Sequence, residues 1–212
     1  GEAQGRYFLV LELVDGWTLE QLLKRAAAAG HPVPPELAVY LVTEVCRALG
    51  YAHDRTRGGT GLGIVHRDVC PNNVLVSDTA EVKLTDFGIA KARIRTPTTQ
   101  VGTVAGKPSY MSPEQACGEP VDARSDLFSL GTLLYYLLTG ELPFKAPSDR
   151  ELMIRVASGE FVSPGKRVPS LPKDLVKLSL EAMKREPKDR FQTAQQMLAA
   201  LGRLMQDNHR SS

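Results

Sequence analysis

His66-Arg67-Asp68-Val69-Cys70-Pro71-Asn72-Asn73 runs directly into Val74-Leu75-Val76-Ser77, then Asp78-Thr79-Ala80-Glu81, then Val82-Lys83-Leu84-Thr85-Asp86-Phe87-Gly88. Two apolar, β-branched runs around a short polar break predict a hairpin. With the turn centred between Thr79 and Ala80, antiparallel pairing sets Ser77 against Val82, Leu75 against Leu84 and Asn73 against Asp86. That register brings a carboxamide oxygen beside a carboxylate, with Asp68 on the loop before them. Such a set suits a hard cation such as Mg²⁺, which takes few protein oxygens and leaves its other positions to water and phosphates.

Composition narrows the function classes. The 212 residues are 42% hydrophobic, enough for one substantial core without a second complete domain. Lys and Arg number 26 against 24 Asp and Glu, a net charge of +2, so nucleic acid or an anionic membrane is not expected as a main partner. Cys46, Cys70 and Cys117 are odd in number and in no metal-like spacing, which points to a reducing, cytoplasmic setting. No apolar run approaches the length of a bilayer span and no signal peptide is evident. Gly1-Glu2-Ala3-Gln4-Gly5 opens abruptly on a strand, and the chain reads as a piece of a longer, even membrane-anchored, protein.

Along the chain, Arg6 to Val14 is a strand-like apolar run that Asp15-Gly16 closes with a turn signal. Thr18 can cap a helix that Gly30 stops, and Pro34-Pro35 opens a long amphipathic helix, Leu37 to His53. Its apolar face of Leu37, Tyr40, Leu41, Val45, Leu49 and Ala52 is assigned to the core, with Cys46 packing rather than reacting. Arg57 to Gly63 is a flexible insert whose glycines open no phosphate-binding helix. Ile89 to Lys107 is a long aperiodic loop. Asp126 to Leu138 is hydrophobic all round, as a buried central helix is, and further helices are expected near Arg150–Ser158, Pro172–Arg185 and Thr193–Met205.

His-Arg-Asp-x-x-x-x-Asn, then Asp-Phe-Gly, then Ser112-Pro113-Glu114 resembles the signature set of protein kinases, and the pattern looks like the bacterial eukaryotic-type serine/threonine kinases. The resemblance runs from about Tyr7 to Met205. It implies an α+β, mainly α, protein-kinase-like fold: a large lobe over 15–206, preceded over 1–14 by the last small-lobe strand and hinge, with 207–212 as a tail. It implies ATP and Mg²⁺ as cofactors and proteins as substrates.

By the same resemblance, Asp68 orients the substrate hydroxyl and accepts its proton, while Asn73 and Asp86 hold the metal. Leu11 backs the adenine pocket, the backbone at Glu12 and Val14 bonds the adenine edge, and Leu75 lies beneath the ring. His66 packs under Phe87 rather than serving as a base. Asp126 accepts backbone N–H groups of the catalytic loop, and Glu114 pairs with Arg190 in a buried ion pair. Arg67 can pair with a phosphate on the activation loop, for which Thr96, Thr98, Thr99 and Thr103 are candidates and Thr99 and Thr103 the best placed.

Two departures stand out. Kinases of this type usually carry Lys two residues after the catalytic Asp, where this chain has Cys70, and Thr where it has Lys107 in Gly106-Lys107-Pro108-Ser109-Tyr110. An exchange of roles is expected, with Lys107 supplying the ammonium that position 70 lacks. The glycine-rich loop, strand Lys and helix Glu of the family would precede Gly1, so this segment alone is expected to be inactive. The alternatives are a pseudokinase-like scaffold or binding module, against which intact Asp68, Asn73 and Asp86 stand, and a small-molecule phosphotransferase, against which the segment from Asp86 to Glu114 and the Asp126 helix count.

Overall fold

A computed structural model describes residues 1–3, 5–8, 10–57, 59–87 and 107–210. In chain order the elements are β1 (Glu2–Ala3), β2 (Arg6–Tyr7), β3 (Gly16–Thr18), α1 (Leu19–Ala28), α2 (Pro35–His53), β4 (Thr56–Arg57), β5 (Thr60–Gly61), β6 (Val74–Ser77), β7 (Val82–Leu84), α3 (Pro113–Cys117), α4 (Ala123–Thr139), α5 (Asp149–Ser158), α6 (Pro164–Arg167), α7 (Lys173–Ala182) and α8 (Ala194–Arg210). Short 3₁₀ turns occupy Pro71–Asn73, Pro108–Tyr110 and Pro187–Asp189.

The centre of the molecule is α4. Leu127, Phe128, Leu130, Leu133, Leu134 and Tyr135 are all without solvent exposure, so its faces are covered on every side. Helix α2 brings Val42, Val45 and Leu49, and α7 and α8 bring Leu178, Ala182, Met197 and Leu201. Each such Val, Leu or Met side chain contributes about 1.5–3 kcal/mol by leaving water. At Gly131 a β-carbon would lie 2.7 Å from Ala182 Cβ, so α4 and α7 approach closely only because that residue is glycine. Cys46 belongs to this interior: its Sγ–H donates to the Ala194 carbonyl at 3.5 Å, and burial pushes the thiol up to about 12 against the opposing charge of Arg47.

Helix ends follow local chemistry. Thr18 and Gln21 form a reciprocal capping box at the start of α1, Ser112 and Gln115 another at α3, and Asp122 caps α4, which Gly140 closes in the left-handed conformation.

Several expectations need correction. Among the described residues the strand expected over Arg6–Val14 is limited to β2, hairpinned with β1; Leu11 and Leu13 are 65% and 87% exposed. Apolar β-formers make a strand only where a second backbone can ladder with them. Gly16 does not end a strand but begins β3, which pairs with β6; a β-carbon there would sit 2.2 Å from the Val76 carbonyl oxygen. Leu37 is 45% exposed, while Ala38 and Val39 beside it are the residues of this turn that face the core. The insert around Gly59 forms the small β4–β5 hairpin. Helix α7 stops at Ala182, short of Arg185, and α8 continues past Met205 to Arg210.

The hairpin of β6 and β7 is one residue out of the expected register: Val76 faces Val82, Leu75 faces Lys83 and Val74 faces Leu84. The cause is Ala80, whose φ is 65°. Ala80 N–H donates to the Ser77 carbonyl and Ser77 N–H to the Glu81 carbonyl, both at 2.9 Å. This is a three-residue loop with a left-handed last residue, which shifts pairing by one. Thr85, whose N–H donates to the Asn73 carbonyl at 2.9 Å, therefore stands level with Asn73, and Asp86 does not.

A left-handed alanine is strained by about 1–2 kcal/mol, and glycine would relieve that while adding about 0.4–1 kcal/mol of unfolded-chain entropy. Ala80→Gly should therefore raise stability by roughly 0.5–1 kcal/mol, and Ala80→Val should lower it, in denaturant titrations of the folded protein.

Candidate active site

The loop from His66 to Asn73 is shaped by one side chain in the first turn of α4. Asp126 is fully buried. Its Oδ1 accepts the Arg67 N–H at 2.7 Å, and its Oδ2 accepts the His66 N–H at 2.8 Å and lies 2.8 Å from His53 Nε2. A buried carboxylate is tolerable only with such partners. Arg67 has φ 66°, a conformation that the clamp on its N–H sustains, while its carbonyl accepts Gln115 Nε2–H at 3.1 Å.

His66 is fully buried and its ring is used from both sides. Nε2 lies 2.9 Å from the Thr85 carbonyl, so it carries the proton, and Nδ1 accepts the Asp68 N–H at 3.3 Å. The ring packs on Phe87 with centroids 4.6 Å apart. With both nitrogens engaged within the protein, His66 is a brace between the loop and the Thr85–Phe87 turn.

Asn73, 8% exposed, donates from Nδ2 to the Asp68 carbonyl at 2.8 Å. Its side chain is thus oriented by the loop rather than by the hairpin ladder, and Oδ1 is left as the acceptor. Asp86 is exposed and left-handed, φ 60°. Asp68 is half-buried. Among the described residues no cluster of three or more His, Cys, Asp or Glu could hold a metal. One amide oxygen and one carboxylate are nevertheless the sparse donor set that Mg²⁺ accepts when phosphates and water complete it.

Lys107 comes back onto this loop. Its Nζ donates to Asn72 Oδ1 at 2.7 Å and lies 3.5 Å from Glu20 Oε1. Cys70 is buried between charges: burial first, then the negative charge of Asp68, pushes its thiol up, while backbone N–H groups of Asn72 and Asn73 and the charge of Lys107 oppose this. The net effect raises the thiol above its ordinary value, away from the lowered value that a nucleophilic or redox-sensing cysteine needs.

Glu114 and Arg190, 76 residues apart, meet in a two-pronged pair: Nη1 to Oε1 at 2.8 Å and Nη2 to Oε2 at 2.7 Å. Ser125 Oγ–H adds a bond to Oε1 at 2.6 Å, and Arg190 also donates to the Lys184 and Arg185 carbonyls. Burial alone would raise the Glu114 carboxyl, but the bonds from Arg190 and Ser125 outweigh it and hold the group below its ordinary value.

Other expected positions are less gathered. Glu12 and Val14 line an open concavity with Ser77, Asp78 and Lys83, and Glu12 pairs with Lys83. Leu11 is exposed, and Leu75 sits in the sheet between Thr18 and Lys83; neither lines that concavity. Thr96, Thr98, Thr99 and Thr103 lie outside the described residues. His53, Glu20 and Gln115 were not singled out from sequence. Only Gln115 carried a local signal, as the fourth residue of a capping box.

A model of the protein kinase domain matches residues 2–200. Tyrosine-protein kinase MasK of Myxococcus xanthus is 38% identical over 202 residues, 95% of this chain and 31% of that protein. Serine/threonine-protein kinase PknB is 40% identical over 198 residues in Mycobacterium leprae and 39% over 199 in Mycobacterium tuberculosis, 93% of this chain and 30% of each relative. The chain thus spans about a third of the length of these relatives.

Breaking the Glu114–Arg190 pair from one side leaves a buried cation facing a neutral group, so Glu114→Gln should lose about 3–5 kcal/mol of stability at pH 7. Because the carboxyl is depressed in the folded state, its contribution is present above the unfolded value of about 4.3 and fades as pH falls through the folded value. Unfolding titrations of wild type and Glu114→Gln should therefore differ at pH 7 and draw together at acid pH.

Proposed function

Because this chain belongs to the protein kinase family, as a catalytic domain of the bacterial eukaryotic type, we propose that it transfers the γ-phosphoryl group of ATP to serine and threonine hydroxyls of proteins. The observation that carries this reading is the Asp126 clamp: the loop bearing Asp68 is fixed through the His66 and Arg67 N–H groups and tied to Asn73 through the Asp68 carbonyl. Phosphoryl transfer asks a protein mainly to position the nucleophile and neutralise charge. A loop so restrained is built for positioning.

In this mechanism Asp68 orients the substrate hydroxyl and takes its proton as the new O–P bond forms and the bond from Pγ to the ADP oxygen breaks. Asn73 and Asp86 would hold Mg²⁺, which would neutralise phosphate charge when bound. Lys107 replaces the cation that a lysine at position 70 would supply; its bond to Asn72 supports this, since it brings the ammonium onto the catalytic loop. Glu12 and Val14, which line one concavity, contribute to the adenine site, with Leu11 and Leu75 assigned to it by the family resemblance, and Arg67 answers a phosphate on Thr99 or Thr103. His66, Phe87, Glu114, Asp126 and Arg190 are architectural. Pro71 and the run Tyr110 to Glu114 favour serine and threonine over tyrosine, although one relative is named a tyrosine kinase. A cytoplasmic setting suits ATP as donor, and among the described residues no helix is long and apolar enough to cross a membrane.

Within the 212 residues neither the glycine-rich phosphate cover of the family nor the small-lobe strand lysine that holds the α and β phosphates is recognisable, so this segment assayed by itself should give no transfer. In the full-length protein, Asp68→Asn should lower transfer to a protein substrate by about 10²–10⁴-fold, and acid hydrolysis of the labelled product should yield phosphoserine and phosphothreonine. Phosphotyrosine alone would overturn the specificity; wild-type transfer by Asp68→Asn would overturn the mechanism.

A further inference from the structure

We propose that Glu20 is a positioning residue for phosphoryl transfer, holding the Lys107 ammonium against the catalytic loop from the first turn of α1. The proposal deepens the reading of Lys107 given above and rests on it.

Among the described residues Lys107 Nζ meets two partners, donating to Asn72 Oδ1 at 2.7 Å and forming an ion pair with Glu20 Oε1 at 3.5 Å. The first lies in the 3₁₀ turn between Cys70 and Asn73, so it moves with the site that Lys107 serves. The second lies on a different element, and it is the one that can aim the side chain from outside. Helix α1 is a firm base for this: the Thr18–Gln21 box closes its N-terminus, and Leu19, beside Glu20, is 2% exposed in the core. The helix packs on the 3₁₀ turn of the catalytic loop. An exposed lysine on a four-carbon stem would otherwise wander, since its rotamer freedom is worth about 1.5–2 kcal/mol.

Exposure favours the pair as well. The Glu20 side chain is 20% exposed and that of Lys107 40%, so the interaction is less screened than one between fully solvated ends. Glu20 also faces Lys24 at 3.2 Å through the same oxygen, but Lys24 is 74% exposed. Lys24 is therefore a competitor for the carboxylate, and removing it leaves Glu20 to Lys107 alone. The negative charge of Glu20 is felt at Tyr110 and Tyr136 too, although burial is the larger cause of their raised hydroxyls. Tyr110 N–H donates to the Lys107 carbonyl at 3.0 Å, so the carboxylate lies at the foot of the segment that carries Lys107.

The test is steady-state kinetics of the full-length protein with a protein substrate. Lys107→Met is expected to lower kcat by about 10–100-fold, and Glu20→Gln by about 3–10-fold with KM for ATP unchanged. The double variant Glu20→Gln with Lys107→Met should be no slower than Lys107→Met alone, because both remove one function. Lys24→Met should retain wild-type kcat or exceed it. In a Cys70→Lys background, where the loop carries its own ammonium, Glu20→Gln should have no effect; a merely structural Glu20 would still matter there. Wild-type kcat for Glu20→Gln together with a slow Lys107→Met overturns the role of Glu20 and leaves that of Lys107 standing. Wild-type kcat for Lys107→Met overturns the underlying reading itself. Additive losses in the double variant, or an undiminished loss in the Cys70→Lys background, would show Glu20 acting elsewhere and also overturn the proposal.

Discussion

Asp126 carries a carboxylate into the most buried helix of the molecule, where an unpaired charge would be untenable. It is tolerated because the His66 and Arg67 N–H groups and the His53 ring meet it at 2.7–2.8 Å. The dependence runs both ways. Helix α4 is placed by apolar packing on all sides, and the carboxylate then dictates where the loop backbone must go. From that backbone the order propagates: Arg67 stays left-handed, His66 reaches Thr85 and Phe87, and Asn73 is drawn to the Asp68 carbonyl. Asp68 and Asn73 are thus held by contacts that trace back to one side chain.

Glu114 and Arg190 repeat the logic one layer out. Neither is accessible, and each is saturated: Glu114 by Arg190 and Ser125, Arg190 by Glu114 and three carbonyls. The pair joins α3 to the turn before α8, and Gln115, next to Glu114, bonds the Arg67 carbonyl. The segment ending in α3 is therefore fastened to the late helices on one side and to the catalytic loop on the other. Lys107 enters the loop from the same segment. Its ammonium stands near Cys70, whose buried, protonated thiol cannot itself supply charge.

The features legible in the sequence were those written locally. The cap at Thr18 and the apolar run of α4 are short-range signals, and each appears where local chemistry puts it. The hairpin was legible but its register was not. Ala80 adopts a left-handed conformation that alanine disfavours, so nothing in Asp78-Thr79-Ala80-Glu81 announced a three-residue loop. The apolar stretch after Tyr7 misled for the opposite reason: propensity was present, but among the described residues a strand partner continued no further than β1. His53 and Glu20 were opaque because their partners lie 73 and 87 residues away, at positions that only the packing of α4 and the return of Lys107 bring near.

The capture of two backbone N–H groups by Asp126 underlies the whole site, and native-state amide hydrogen exchange of the full-length protein reads those two groups directly. If Asp126 holds the loop, the His66 and Arg67 amides exchange as slowly as those in the middle of α4, and Asp126→Asn releases them while α4 itself stays protected. Exchange of these amides at the rate of an open loop in the wild type would contradict the account, as would unchanged protection in Asp126→Asn.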